Sequence, residues 1–273
     1  MHSFLSRDHI APEEFRRIGH EELARYPGVK FRRIEVTAAS RLPDGAFTVT
    51  LGRSRRVQAR KLLIATGVFD HLPPIEGIED FFGTSVFQCP YCDGWETRRA
   101  AVAVYGRGRR GFEMARALTA WNRNIALCSD GRATLSATER MHLQRNDIDL
   151  VEERIERLEG RKGKLERIVF CGGRTLERDA LYFDTPSSGQ SRLAESLGCQ
   201  FGRHGGIKSG RYEATSVPGV FVAGNIIKDV QLAIVAAAEG ARAAFGINRA
   251  LTREDFDRKA TGTKRIEIGR AHV

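Results

Sequence analysis

A short apolar segment followed by closely spaced glycines constrains the fold of this chain more than any other feature. Residues 101–105 form an apolar run typical of a buried strand, and the motif G-R-G-R-R-G follows at 106–111. A helix is predicted from Phe112 to about Ala120. Glycines at such a turn let the backbone approach a pyrophosphate at the helix N-terminus. The pattern predicts a parallel α/β sheet with a dinucleotide site, and a plain tight turn is the alternative. The three glycines of the motif are Gly106, Gly108 and Gly111.

The chain also repeats one order of elements, in which a helix is followed by short strands and then by a buried strand. In the first copy these elements are predicted over 13–26, 34–37, 47–51 and 62–67. In the second copy they are predicted over 137–145, 148–151, 168–170 and 181–185. A capping box between Ser136 and Glu139 supports the helix of the second copy. The repeat favours two related dinucleotide-binding domains, each with a parallel sheet and a small antiparallel meander.

Two cysteines stand in the motif Cys89-Pro90-Tyr91-Cys92, shortly before the predicted nucleotide-binding strand. Thiols at this spacing form a redox-active disulfide in a turn, where local dipoles lower the pKa of one of them. A zinc half-site and the start of a small glutaredoxin domain are the alternatives. The chain has no second close cysteine pair and no histidines at metal-ligand spacing, so we predict no metal site. The isolated cysteines, expected to be core residues or bystanders, are Cys128, Cys171 and Cys199.

Composition argues against two classes of partner. The net charge is +10, but carboxylates are interspersed among the arginines and no basic block alternates with aromatic residues. A nucleic-acid groove is therefore not predicted. The longest apolar run, residues 232–238, is too short to cross a bilayer, and the N-terminus shows no signal peptide. A cytoplasmic protein without membrane contact is expected.

The stretch from Cys89 to Gly94, followed by a strand and the glycine turn, resembles the low-molecular-weight thioredoxin reductases and their relatives. Those relatives include dithiol oxidases of the gliotoxin type. The resemblance extends to Ala65-Thr66-Gly67 and to the segment 217–225, and it covers the chain to about Gly262. It implies a flavin-dependent disulfide oxidoreductase with FAD and NAD(P)H as cofactors and two Rossmann-like domains. It also implies a homodimer whose partner is a thioredoxin-like protein or a small-molecule dithiol or disulfide.

The resemblance assigns roles around the redox pair. It places Cys92 against the flavin and Cys89 toward the partner. Asp93 becomes the proton donor and acceptor that lets the pair open and close. A turn aspartate that caps the next element is the alternative for Asp93.

The resemblance also assigns a flavin-binding set. The turn at Thr66 and Gly67 is expected to lie against the flavin nucleotide, and the turn at Gly224 and Asn225 against the ribityl chain. A helix predicted over 230–249 would point its N-terminus at the flavin, where it can stabilise negative charge. The residues at the start of this helix are Gln231, Leu232 and Ala233.

The chain departs from the family pattern on the nicotinamide side. NADPH-using relatives carry arginines about 20 residues after the glycine turn, where this chain has Ser129-Asp130-Gly131. An acid at this place suits a free ribose hydroxyl, so Asp130 favours NADH over NADPH. An oxidase that passes electrons from a small dithiol to oxygen is the alternative function. Asn225 also stands where many relatives carry aspartate.

The domain boundaries follow from the resemblance. The family opens its flavin domain with a strand, a glycine turn and a helix, which are not found before Glu13. We expect an N-terminal truncation by a βαβ opening of about 30 or more residues. The chain as written would then be poorly soluble or flavin-free, and an inactive fragment is a third possibility. The predicted segments are an incomplete flavin domain over 1–80 and 205–262, a nicotinamide-type domain over 81–204, and a non-native tail over 263–273.

Overall fold

The structure, a computed structural model, describes residues 2–260. The chain forms two compact units. The continuous unit comprises residues 70–187 together with His2, and the split unit comprises residues 3–69 and 188–260. The predicted non-native tail lies outside the described residues.

The units divide earlier in the chain than the sequence-based boundaries at residues 80 and 204. Ile75 and Ile78 belong to a core cluster of the continuous unit. Ala194 and Cys199 belong to the core of the split unit. Both differences follow from packing that the local sequence pattern does not reveal.

The secondary structure of residues 2–260 comprises short strands and helices of very different lengths. The strands are β1 (Val36–Arg41), β2 (Phe47–Leu51), β3 (Arg55–Ala59), β4 (Leu62–Ile64), β5 (Val68–Asp70), β6 (Val86–Phe87), β7 (Ala101–Tyr105), β8 (Asn124–Cys128), β9 (Ile148–Val151), β10 (Ile155–Arg161), β11 (Lys164–Phe170), β12 (Thr175–Glu177), β13 (Ala180–Phe183), β14 (Ser187–Gly189) and β15 (Val220–Val222). The α-helices are α1 (Pro12–Ala24), α2 (Pro90–Asp93), α3 (Gly108–Leu118), α4 (Ala137–Arg145), α5 (Leu193–Ser196) and α6 (Ala233–Ala260).

The continuous unit is built on a parallel five-stranded sheet in the order β6-β13-β7-β8-β9. The central strand β7 is buried on both faces, as parallel sheets require. Val102 and Val104 pack in the cluster that includes Phe112 of α3, whereas Ala103 packs in the cluster that includes Phe170 of β11. Helices α3 and α4 therefore share one core with the sheet, and the antiparallel meander β10-β11-β12 shares the other.

The split unit contains an antiparallel meander and a parallel strand pair. The meander is β1-β2-β3, and β4 pairs in parallel with β15. Phe47, at the start of the alternating strand β2, is fully buried and packs with Ile64 of β4 and Val220 of β15. The parallel pairing brings the carboxyl ends of β4 and β15 to one edge.

Several predicted bounds were confirmed and others were wrong. Strands β7 and β9 and helix α4 with its capping box lie at their predicted residues. The strand predicted at 34–37 lies at 36–41 instead. Helix α3 begins inside the glycine turn at Gly108 and ends at Leu118, because the turn residues already wind into the helix. Helix α6 begins three residues late and continues to Ala260.

The extension of α6 has a physical cause in its sequence. Residues 250–260 are rich in helix-forming residues, and charged side chains pair along the helix. Arg253 lies 3.7 Å from Asp257, and Arg258 lies 3.5 Å from Asp255. Such i,i+3 and i,i+4 pairs support a helix beyond its buried part. Within residues 2–260, no helix has the length and apolarity needed to span a membrane.

Candidate redox centre and nucleotide sites

The two cysteines of the CPYC motif form a disulfide at the start of the short helix α2. Cys89 is extended, and Pro90 occupies the first helical turn, where its missing N–H has no cost. The backbone N–H groups of Cys92 and Asp93 donate to the carbonyl of Cys89 at 3.1 and 3.2 Å. The motif follows β6, so a strand end and a one-turn helix hold the two sulfurs together.

The other three cysteines do not compete with this pair. Cys128 is buried, and burial raises the pKa of its thiol to about 12. Burial also raises the pKa of Cys199. Cys171 is exposed and makes no disulfide. Since the thiolate is the reactive form, the buried thiols are poor nucleophiles, and the isolated Cys171 lacks a resolving partner.

Asp93 directly follows the second cysteine and carries a perturbed carboxyl group. Burial, followed by the negative charge of Glu96, raises its pKa from 3.8 to about 6, whereas the charge of His2 acts in the opposite direction. His2 lies 2.7 Å from Glu96 through its ring nitrogen. A carboxyl that titrates near pH 6 can both donate and accept a proton at physiological pH. The group thus has the property that a proton carrier beside a dithiol needs.

A buried polar network contacts helix α2, which carries the redox pair. The hydroxyl groups of Thr97 and Tyr182 are 2.8 Å apart, and Thr97 also donates to the carbonyl of Asp93 at 3.3 Å. The amide of Asn122, which is 1 % exposed, donates to the carbonyls of Thr97 and Ala100. Sequence reasoning missed these residues. Asn122 and Tyr182 are 25 and 85 positions from Thr97 in the chain, and no local pattern marks them.

Glycine and aromatic side chains shape the surroundings of the pair. A Cβ at Gly94 would lie 2.7 Å from the ring of Trp121, so only glycine fits there. Trp121 packs edge-on against Tyr91, with ring centroids 5.3 Å apart. Tyr91 is 63 % exposed and Trp95 is 50 % exposed. Exposed aromatic side chains therefore flank the disulfide.

The glycine turn of the continuous unit has the geometry of a phosphate cradle. A Cβ at Gly106 would lie 2.7 Å from the Cα of Gly111, so the turn and the helix approach at backbone distance. Gly108 has a φ of +54°, in the left-handed region that favours glycine. The three predicted glycines thus allow a backbone approach to a nucleotide pyrophosphate at the start of α3.

Asp130 lies beside this turn, but its carboxylate is already engaged. One oxygen accepts the backbone N–H of Ile155 at 3.0 Å, and the other lies 3.0 Å from the guanidinium of Arg107. The prediction that NADH is favoured assumed a carboxylate that is free to accept a ribose hydroxyl. The preference stays a prediction, and the position of Arg107 weakens its premise.

The predicted flavin turns of the split unit follow two adjacent strand ends. The backbone N–H of Ala223 donates to the carbonyl of Ile64 at 3.1 Å, so the turn at Thr66 and the turn at Gly224 leave the sheet at the same edge. The hydroxyl of Thr66 is buried and has no hydrogen-bond partner within residues 2–260. An orphaned polar atom in this turn fits a bound group that supplies its partner.

The second turn is held by a carboxylate that sequence reasoning missed. Gly224 has a φ of +80°, and its N–H donates to the side chain of Glu239 at 2.6 Å. Asn225 begins a single-turn helix after it. Helix α6 starts at Ala233, with the half-buried Leu232 and the exposed Gln231 just before it. The role of these residues in holding a flavin stays a prediction.

Comparison with known proteins identifies relatives of this chain. Thioredoxin reductase tcpT of Claviceps purpurea (strain 20.1) is 30 % identical over 250 residues, which cover 86 % of this chain and 77 % of that protein. Thioredoxin reductase aclD of Aspergillus oryzae is 24 % identical over 271 residues, covering 95 % and 85 %. The crystal structure of HlmI superposes with a TM-score of 0.91 at 29 % identity, covering 96 % of this chain and 83 % of that one. Residues 7–240 match the model of the pyridine nucleotide-disulphide oxidoreductase family, which confirms the predicted resemblance: the chain is a thioredoxin-reductase-like member of that family.

Proposed function

We propose that this protein passes electrons between a pyridine nucleotide, FAD and the Cys89–Cys92 pair, and from that pair to the disulfide of a partner. The disulfide in the CPYC helix, next to an aspartate whose pKa is raised to about 6, is the observation that carries the proposal. The glycine turn at 106–111 in the same unit supports a nucleotide site.

The dithiol chemistry follows from the residues at the pair. The thiolate of Cys89 attacks one sulfur of the partner disulfide, which forms a mixed disulfide and releases one partner thiol. Cys92 then attacks the sulfur of Cys89, which re-forms the disulfide and releases the second thiol. Asp93 accepts the proton lost by an attacking thiol and passes it to a departing partner thiolate, and it returns a proton taken from solvent when the pair is reduced again. The partner gains two electrons and two protons in each cycle.

FAD, when bound, supplies the two electrons that it receives from the nucleotide. Thr66, Gly67, Gly224 and Asn225 would hold it at the strand ends. The residues at the start of α6 would lie against it, and these are Gln231, Leu232 and Ala233. The positive end of a helix stabilises negative charge on a reduced ring system.

The partner is proposed to be a thioredoxin-like protein, in a homodimeric enzyme. Tyr91 and Trp95 beside the disulfide support a partner with apolar surface around its own disulfide. A small-molecule dithiol, oxidised at the expense of oxygen, would use the same pair in the reverse direction.

The test compares Cys89→Ser and Cys92→Ser with Cys171→Ser, which changes an exposed cysteine outside the pair. Turnover is measured as NADPH and NADH consumption with oxidised thioredoxin, and as peroxide formation with a small dithiol. Both pair variants should abolish turnover while Cys171→Ser leaves it intact. Turnover retained in Cys92→Ser would reject the proposal, and peroxide formation without nucleotide consumption would assign the oxidase direction.

A further inference from the structure

The choice between the two pyridine nucleotides depends on one edge of the sheet in the continuous unit. Strands β7 and β8 are parallel neighbours, with Tyr105 opposite Cys128. The residues that follow them, Arg107 and Asp130, therefore meet beyond the strand ends. In Rossmann units an acid after the second strand holds the ribose hydroxyls, and a nearby arginine accommodates a 2′-phosphate.

Groups of the protein surround the carboxylate of Asp130. The backbone N–H of Ile155 and the guanidinium of Arg107 each lie 3.0 Å from one of its oxygens. Burial raises the pKa of the neighbouring Tyr105 phenol, and the charge of Asp130 raises it further, so the phenol faces the same carboxylate. The Asp130 side chain is only 16 % exposed. A ribose hydroxyl would have to compete with these contacts.

Arg107 is held in place and yet accessible. Its Nε donates to the carbonyl of Ser129 at 3.2 Å, and 61 % of its side chain is exposed. Its Nη2 donates to the backbone carbonyl of Asp130 as well as to the Asp130 carboxylate. The two N–H groups of Nη1 are not used by these contacts and are left for a second anion.

The charge around the turn favours an anion. Arg110 follows Arg107 in the glycine turn, Arg132 follows Asp130 by two residues, and both are exposed. Arg109 lies 3.7 Å from Glu113. Glu152 is paired with Arg140 at 2.8 Å. With Asp130 paired to Arg107, the arginines outnumber the carboxylates that are left to oppose a phosphate.

We propose that Arg107 is the specificity-determining residue of the nucleotide site. It engages the acid that would otherwise accept the ribose 2′-hydroxyl, and it offers the two N–H groups of its Nη1 to a 2′-phosphate, so the site takes the 2′-phosphorylated nucleotide. Arginine suits this role because its guanidinium stays charged and carries enough N–H donors to bind the carboxylate and a phosphate together. The inference rests on the nucleotide site of the proposed function.

The test measures the dissociation constants of NADP⁺ and NAD⁺ for the purified full chain by calorimetry at one ionic strength. The unaltered protein should bind NADP⁺ more tightly. Arg107→Ala should weaken NADP⁺ binding by about 10- to 100-fold, the range expected for a lost charge-assisted hydrogen bond. NAD⁺ binding should be unchanged or tighter, because Asp130 becomes free. The double variant with Arg107→Ala and Asp130→Asn should lose any increase in affinity for NAD⁺.

The matched control is Arg110→Ala, which removes the same charge from the same turn. It should weaken the binding of both nucleotides slightly and leave the ratio of their dissociation constants unchanged. Arg107→Gln, which keeps a polar side chain, replaces Arg107→Ala if the alanine variant does not fold. Equal loss of NADP⁺ binding in the Arg107 and Arg110 variants, or tighter binding of NAD⁺ to the unaltered protein, would overturn the assignment of Arg107. Binding of neither nucleotide to the unaltered protein would instead overturn the nucleotide site itself, and this proposal with it.

Discussion

The carboxyl of Asp93 offers the sharpest test of the redox centre, because its pKa of about 6 places a titration inside an accessible pH range. Oxidation of the dithiol needs a base to take the thiol proton, so its rate should rise with pH through about 6. About nine in ten Asp93 carboxyls are protonated near pH 5 and about one in ten near pH 7. Asp93→Asn should remove this rise of the rate with pH and slow oxidation by roughly 10²- to 10⁴-fold.

The assay is rapid mixing of the reduced protein with a small aromatic disulfide over a series of pH values. Glu96→Gln is the matched control, because it keeps Asp93 and removes the neighbouring charge that raises its pKa. In Glu96→Gln the rise of the oxidation rate should move to lower pH. A rise of the rate near pH 6 that persists in Asp93→Asn would refute the assignment of Asp93 as proton carrier. So would the absence of this rise from the unaltered protein.

The same carboxyl predicts a pH dependence of stability. Its folded pKa is raised, so the folded state binds more protons than the unfolded state between pH 3.8 and about 6. The free energy of unfolding should therefore fall as pH rises through this window. The shift corresponds to roughly 3 kcal/mol, which partial exposure reduces to about 1–2 kcal/mol. Asp93→Asn should abolish this slope in denaturant titrations.

Two further predictions concern the glycine turns. Gly111→Ala would place a Cβ 2.6 Å from the carbonyl carbon of Gly106, so it should lower the free energy of unfolding by about 1–3 kcal/mol in a denaturant titration. Gly240→Ala is the control: its Cβ meets no atom within 4 Å, so it should raise the free energy of unfolding slightly. Glu239→Ala should speed hydrogen exchange at the Gly224 amide by about 10- to 100-fold and weaken FAD retention, whereas Glu239→Gln keeps an acceptor and should change both less. Equal exchange rates in the two Glu239 variants would contradict the role of this carboxylate.

Local sequence signals predicted much of the fold because they depend on neighbours in the chain. The capping box of Ser136 and Glu139 fixed the start of α4, and the apolar run at 101–105 fixed β7. The helix ends that were wrong lie where local rules compete. Glycine signals a turn at 106–111, yet from Gly108 onward the same residues already form helix α3.

The groups that tune the sites could not be predicted in the same way. Arg107 and Asp130 are 23 residues apart, and Gly224 and Glu239 are 15 apart. Each pair meets because adjacent strands or a following helix bring distant segments together. An arginine inside a glycine motif and a glutamate in a small-residue helix look like solvated surface residues until the fold is known.

Asp93 illustrates how a motif and its chemistry differ in predictability. The sequence placed an aspartate after the second cysteine but left open whether it caps the next element or carries a proton. Within residues 2–260 the Asp93 side chain caps no backbone N–H, although the Asp93 carbonyl accepts a bond from Thr97. Its pKa is raised chiefly by burial, and burial depends on packing at the continuous-unit core, where Tyr182 and Thr97 meet. The proton-carrier role proposed for Asp93 therefore depends on side chains that lie far from the motif in sequence.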